Sequence, residues 1–199
     1  MAMRVVSGAE FPSDAVLLED ASEASPAFIW LVSYGITTEE IKRLKMMWSP
    51  SKQWLIFPIF SVDGAVVAWQ ARVFKGDKKY INSPNIHKHV FIEGWEYYAD
   101  DTQNICVVED VLSTIKVGRI MPCLCLFGSA LLPSHMSLLM EAADKVIFWL
   151  DFDKYIVSEE YARKMSGLHQ RVAVVLTKLD PKSYTTDEIT DILHIHRDT

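Results

Sequence analysis

The alternation of hydrophobic and polar positions changes character near the middle of this chain. Residues 1–25 are small, acidic and weakly patterned, which predicts a partly ordered lead-in. Pro26 to Tyr34 is apolar and Gly35 stops it. Thr37-Thr-Glu-Glu40 sets a hydroxyl three residues before a carboxylate, the pattern of a helix capping box, and predicts a helix to about Met47. Gln53–Phe60 and Ala65–Phe74 are strand-like and flank Val62-Asp-Gly64. Asp-Gly between such runs signals a hairpin, because glycine tolerates the positive φ of the turn. Lys79–Asn82 adds a third extended element before a proline-broken loop. Residues 26–99 are therefore expected to form a small mixed α+β subdomain built around a β-meander.

Residues 100–199 follow another rhythm. Apolar runs at Asn104–Val108, Met121–Phe127, Lys145–Leu150 and Arg171–Leu176 alternate with helix-like segments. The helices are expected to close near Gly118, to cover Pro133–Ala143 and Val157–Gly167, and to run from the second capping box, Thr185-Thr-Asp-Glu188, to about His196. Strands alternating with helices at this spacing predict βαβ units and a parallel sheet. All C-terminal strand ends of a parallel sheet lie along one edge, where open α/β folds place their sites. Acids fall at those ends: Glu109 after the first strand, Asp151 and Asp153 after the third, and Asp180 after the fourth.

The sharpest of these stretches is Lys145-Val-Ile-Phe-Trp-Leu-Asp-Phe-Asp153, an apolar run that ends in two carboxylates. Two carboxylates ~4 Å apart repel by ~1 kcal/mol in water and ~4 kcal/mol at an effective dielectric of 20. Such a pair either faces bulk water or holds a cation. An isolated Asp-x-Asp is more often a solvated strand end. Glu109 and Asp180 on the same edge shift the balance toward a metal site, and hard oxygen donors favour Mg²⁺.

Composition narrows the class. The chain has 199 residues, half of them hydrophobic, with a net charge of −6, so it is globular and of a size for one large or two small domains. The acidic balance argues against an indiscriminate grip on nucleic acid, whose affinity comes mostly from Lys and Arg. The first residues lack the basic-then-apolar order of a secretory signal, and no run reaches the ~18 apolar residues of a membrane span, which predicts a cytoplasmic protein. Cys106, Cys123 and Cys125 lie in apolar runs and read as reduced core residues; without a Cys-x-x-Cys pair no zinc ribbon is expected. His87-x-His89 reads as an exposed loop pair. Trp54, Trp69, Trp95, Tyr97 and Tyr98 could stack bases but read first as core residues.

The order of these features resembles a known family. Glu at one strand end, Asp-x-Asp at a later one and a downstream Asp-Pro resemble the TOPRIM domain shared by bacterial-type primases and type IA and II topoisomerases. The carrying residues are Glu109 within Val107-Val-Glu-Asp-Val-Leu-Ser113, Gly128-Ser129, Asp151-Phe-Asp153 and Asp180-Pro181. Asp63-Gly64, Gln70-Ala-Arg72 and Lys79-Tyr-Ile-Asn-Ser-Pro84 are similar to the primase core ahead of TOPRIM, as are Phe91-Ile-Glu-Gly94 and Glu96-Tyr97. The Lys-Tyr-x-Asn-Ser-Pro run is the most specific piece. Departures are Asp110 where the family has glycine after the glutamate, Lys154 after Asp-x-Asp, Glu93 near an expected basic position, and Lys182 where a second acid follows Asp-Pro.

The resemblance, closest to compact bacteriophage primases without zinc-binding or helicase modules, implies an α/β fold with a C-terminal TOPRIM domain over residues 100–199. It implies a primase catalytic core, a DNA-directed RNA polymerase that makes short RNA primers by metal-dependent nucleotidyl transfer during DNA replication. Asp151 and Asp153 would then hold Mg²⁺, or Mn²⁺, with Glu109 as a further ligand or general base and Asp180 supporting a second ion. Arg72, Lys79, Asn82 and Lys88 would meet nucleotide or template phosphates. Implied partners are single-stranded DNA template, ribonucleoside triphosphates, and a replicative helicase or separate template-recognition module acting in trans, in a bacterial host cytoplasm for a phage-encoded protein. The competing readings are a TOPRIM-type nuclease using the same acids, and a catalytically weakened replication adaptor that binds helicase or single-stranded DNA.

Overall fold

An antiparallel meander builds the first sheet: β1 (Val16–Leu17), β2 (Met47–Ser49), β3 (Trp54–Phe60), β4 (Val66–Val73) and β5 (Tyr80–Asn82), neighbours in that order. It belongs to the first of two units into which this computed structural model divides, Met1–His89 and Val90–Thr199. The structure describes residues 3–96, 104–168 and 171–197. The Asp63-Gly64 hairpin forms as expected, with the Gly64 amide donating to the Ser61 carbonyl at 2.8 Å between β3 and β4. The apolar stretch after Ser25 is a helix, α1 (Pro26–Ser33), whose first turn is capped by the Ser25 side chain accepting from the Phe28 amide. The Thr37–Glu40 capping box is made in full and opens α2 (Thr38–Arg43).

Two expectations about this unit are corrected. The helix expected to reach Met47 stops at Arg43: Lys45 takes a φ of 48°, and the chain leaves as β2 with all three side chains buried. Pairing with β3 gives Met47 and Trp48 a ladder and a core, which outweighs continuing a short polar helix. The lead-in is also more structured than its composition suggests, since Val16–Leu17 pairs with β2 and Ala9 and Leu18 are buried.

The second unit has the expected parallel sheet. Its strands are β6 (Phe91–Glu93), β7 (Asn104–Val108), β8 (Cys123–Cys125), β9 (Lys145–Phe148) and β10 (Arg171–Val174), in the spatial order β10-β9-β7-β8-β6. All pairings are parallel except β6 with β8, which is antiparallel. The strand β7 matches its apolar run, while β8, β9 and β10 are two or more residues shorter than theirs. The expected division near Ala99 lies outside the described residues; Phe91–Glu93, expected ahead of it, already pairs in this sheet.

The period of two along each strand sends alternate residues to two cores. Ile105, Val107, Val146 and Phe148 pack on one face with Leu139 of α4 (Pro133–Ala142) and Met165 of α5 (Tyr155–Ser166). Cys106, Val108, Ile147 and Trp149 pack on the other with Val117 of α3 (Val111–Gly118) and with Ile189 and Leu193 of α6 (Thr186–Arg197). A strand buried on both faces reads as an unbroken apolar run, which is why β9 stood out in the sequence. The three cysteines are buried and free, and Cys106 sits opposite Cys123 across β7 and β8.

Two glycines, Gly94 and Gly118, let the end of β6 approach α3. Gly94 has a φ of 72°, and a side chain there would press on the Gly118 and Met121 carbonyl oxygens well inside van der Waals contact. Gly94→Ala is therefore expected to destabilise the protein by roughly 2 kcal/mol or more, combining left-handed strain with overpacking. Denaturant unfolding checks it, and an unchanged midpoint would contradict the close approach.

Candidate metal centre

Because β7, β8, β9 and β10 run parallel, the residues that follow them share one edge of the sheet. Glu109 follows β7 directly. Its backbone is held on both sides: the Gly128 amide donates to the Glu109 carbonyl at 2.8 Å, and the Trp149 amide donates to the neighbouring Val107 carbonyl at 2.9 Å. Its side chain reaches toward the end of β9, where Oε1 accepts the Asp151 amide at 3.1 Å. Glu109 and Asp151 are thus brought together across two adjacent strands. Burial raises the Glu109 carboxyl to about 7, the Asp151 charge adds to that rise and Asp153 adds a little more, while the bond from the Asp151 amide works against them.

Asp151 opens a single 3-10 turn, Phe152–Lys154, closed by the Lys154 amide on the Asp151 carbonyl at 2.8 Å. That turn carries Asp153 outward. Its carboxylate is mostly exposed and pairs with Lys154 Nζ at 2.5 Å, a contact that raises the Lys154 ammonium above its ordinary value. An exposed pair of neighbours in the chain contributes little to stability and exchanges partners readily.

Asp180 is held quite differently. Its Oδ2 lies 2.7 Å from Lys182 Nζ, and the same ammonium lies 2.8 Å from Asp110 Oδ2. Lys182 and Asp110 are almost fully buried, while the Asp180 side chain is about a quarter exposed. Asp110 is also the N-cap of α3, accepting from the Ser113 amide at 3.0 Å. Residue types alone marked Asp110 and Lys182 only as departures from a family pattern. Their meeting across 72 residues becomes visible only in the fold.

A divalent cation suits this donor set in chemistry, since the groups are hard carboxylate oxygens and part of the Glu109 rise is repulsion that a cation would relieve. Among the described residues, no three His, Cys, Asp or Glu side chains stand together in a metal-holding arrangement. Glu109 is turned onto the Asp151 amide and Asp153 onto Lys154, so binding would exchange those partners for the ion.

The expected phosphate-binding residues all lie in the first unit. Arg72 on β4 stands opposite Tyr80 on β5, with its guanidinium 5.3 Å from the Tyr80 ring and 5.4 Å from the Trp30 ring. Its Nε is buried without a hydrogen-bond partner, and Nη1 reaches the Lys79 carbonyl at 3.5 Å. Asn82 pairs across the strands with Gln70, whose Nε2 donates to Asn82 Oδ1 at 3.1 Å. Lys79 and Lys88 are exposed. Trp69 is buried against Trp54 and is a core residue, whereas Trp95 is exposed; Tyr97 and Tyr98 lie outside the described residues.

Solved structures share this arrangement of elements. The DnaG catalytic core is similar with a TM-score of 0.70 at 18% identity, covering 90% of this chain and 75% of that one. The DnaG primase catalytic domain bound to single-stranded DNA has a TM-score of 0.64 at 17% identity, covering 90% and 75%. The primase fragment of the bacteriophage T7 primase-helicase protein has a TM-score of 0.58 at 14% identity, covering 85% and 73%. No protein-family model and no curated protein matches the chain. By this likeness the chain has the fold of the bacterial-type primase catalytic core.

Proposed function

We propose that this chain is a primase catalytic core, synthesising short RNA primers on single-stranded DNA from ribonucleoside triphosphates. The observation that carries the reading is the meeting of Glu109 with Asp151 at the C-terminal edge of the parallel sheet, inside a primase-type fold. Glu109, Asp151 and Asp153 would hold Mg²⁺ or Mn²⁺. When bound, such an ion neutralises triphosphate charge and lowers the pKa of the attacking 3′-hydroxyl.

The remaining work falls to the chain's own side chains. Glu109, raised to about 7, is ionised in part at neutral pH and is matched to accept a proton. The Arg72 guanidinium lies over the Trp30 and Tyr80 rings, and its planar fork of donors suits a phosphate. Lys79, Asn82 and Lys88 add exposed donors for template or nucleotide phosphates. A net charge of −6 gives weak grip on template, which favours recognition by a helicase or a separate module in trans. Among the described residues no helix is long and apolar enough to cross a membrane. A bacterial cytoplasm, with the gene carried by a phage, is the setting this reading implies.

The direct test incubates the protein with single-stranded DNA, labelled ribonucleotides and Mg²⁺ or Mn²⁺. Short labelled RNA is expected, reduced by roughly 100-fold or more in an Asp151→Ala, Asp153→Ala variant. Cleaved template in place of RNA would assign a nuclease. No product even with a helicase present would overturn the enzyme.

Glu109 also sets a pH dependence of stability. Its folded value lies above its ordinary 4.5, so the ionised form is the less stable one in the fold. Stability is then lost as pH rises from about 4.5 through about 7. Glu109→Gln keeps the acceptor for the Asp151 amide and removes the charge. Its melting temperature is expected to exceed that of the wild type at pH 8 by a few degrees and to converge with it at pH 4; the opposite order at pH 8 would contradict the assigned cause.

A further inference from the structure

We propose that Lys182 stands in for a second metal ion, so that the centre takes a single divalent cation and Asp180 is not among its ligands. The inference rests on the metal-dependent reading above and concerns how many ions that site takes. Enzymes that join or cut phosphodiesters commonly use two divalent ions about 4 Å apart, and each ion is there to balance clustered carboxylates and phosphate charge. At this strand edge one such balance is already made by the protein. Lys182 Nζ bridges Asp110 Oδ2 at 2.8 Å and Asp180 Oδ2 at 2.7 Å, in a position almost closed to water.

The bridge is held at both ends. Lys182 belongs to the short Pro181–Ser183 turn, and the buried Lys116 ammonium of α3 donates to the Lys182 carbonyl at 2.7 Å and also to the Tyr184 carbonyl. The turn that carries Lys182 is thereby clamped to the helix whose N-cap is Asp110. An ammonium held in this way has three donors and one charge. A divalent ion on Asp180 would have to sit against an ammonium that is almost closed to water. By contrast, Asp153 pairs with Lys154 at an exposed position and Glu109 accepts from a backbone amide, so both can turn to an ion without uncovering a buried charge.

Mn²⁺ is the probe, because its electron paramagnetic resonance signal counts bound ions without reference to activity. The wild-type chain is expected to bind one Mn²⁺. Asp180→Asn should leave that count unchanged and the Kd within about twofold, whereas Asp151→Asn with Asp153→Asn should abolish binding. Lys182→Met releases Asp110 and Asp180 from the ammonium and should raise the count to two, and Mn²⁺ should raise the melting temperature of that variant more than that of the wild type. Two ions on the wild type, one of them lost in Asp180→Asn, would overturn the proposal and leave the primase reading intact. So would a folded Lys182→Met that still binds one ion. If Lys182→Met does not fold with or without Mn²⁺, the wild-type and Asp180→Asn counts decide. A wild type that binds no Mn²⁺ would sink the metal-dependent reading together with this one.

Discussion

Carboxylates collected along one edge of a parallel sheet repel one another, and the second unit is organised by how that repulsion is met. Three solutions sit side by side. Glu109 is buried beside Asp151, leans on a backbone amide and keeps its proton up to about pH 7. Asp153 is turned outward onto Lys154. Asp110 and Asp180 share the buried ammonium of Lys182. Magnitude separates them: an exposed pair contributes about 0–1 kcal/mol, while breaking a buried one costs about 3–5 kcal/mol. The Asp153 pair is therefore cheap to break, while the Lys182 pairs are structural.

The sheet supplies the rigidity that makes this division possible. Alternate residues of β7 and β9 are locked into cores on opposite faces, so the residues that follow them have little freedom in height or direction. Trp149 adds a polar tie, donating from Nε1 to Thr177 Oγ1 at 2.8 Å and joining the ends of β9 and β10. The buried lysines serve the same end. Lys116 holds the turn after β10, and Lys145 at the start of β9 donates to the His196 carbonyl in the last turn of α6 at 2.6 Å, where a cation also meets the negative end of the helix dipole. Each buried ammonium thus ends on an oxygen, as the cost of an unpaired buried charge demands.

Much of this was legible in the residues because both units obey local rules. Both capping boxes marked real helix starts, Asp63-Gly64 marked a real hairpin, and doubly buried strands announced themselves as apolar runs. The placement of Glu109 with Asp151 followed from one topological rule about parallel strands. What stayed hidden depended on distant partners. Met47–Ser49 reads as the tail of a helix until β3 is there to pair with it. Val16–Leu17 and Phe91–Glu93 are too short to show a period of two, and only their ladders to β2 and β8 define them as strands. From the sequence, Arg72 reads only as a phosphate contact. Its two stacking rings come from α1 and β5, and no spacing rule links Trp30, Arg72 and Tyr80.

The same reasoning changes the meaning of the two departures that weakened the family resemblance most. Taken singly, Asp110 in place of glycine adds an acid beside Glu109, and Lys182 in place of an acid removes one near Asp180. Each looks like damage to a metal centre. In the fold they are one exchange, because the added carboxylate and the added ammonium meet at 2.8 Å with both side chains nearly closed to water. Asp110 without Lys182 would be a buried anion next to a carboxyl already raised by its neighbours. Lys182 without Asp110 would lose the more buried of the two carboxylates it bridges. At that burial each substitution offsets the charge of the other. On the Asp180 side of the sheet edge the counter-charge is the protein's own.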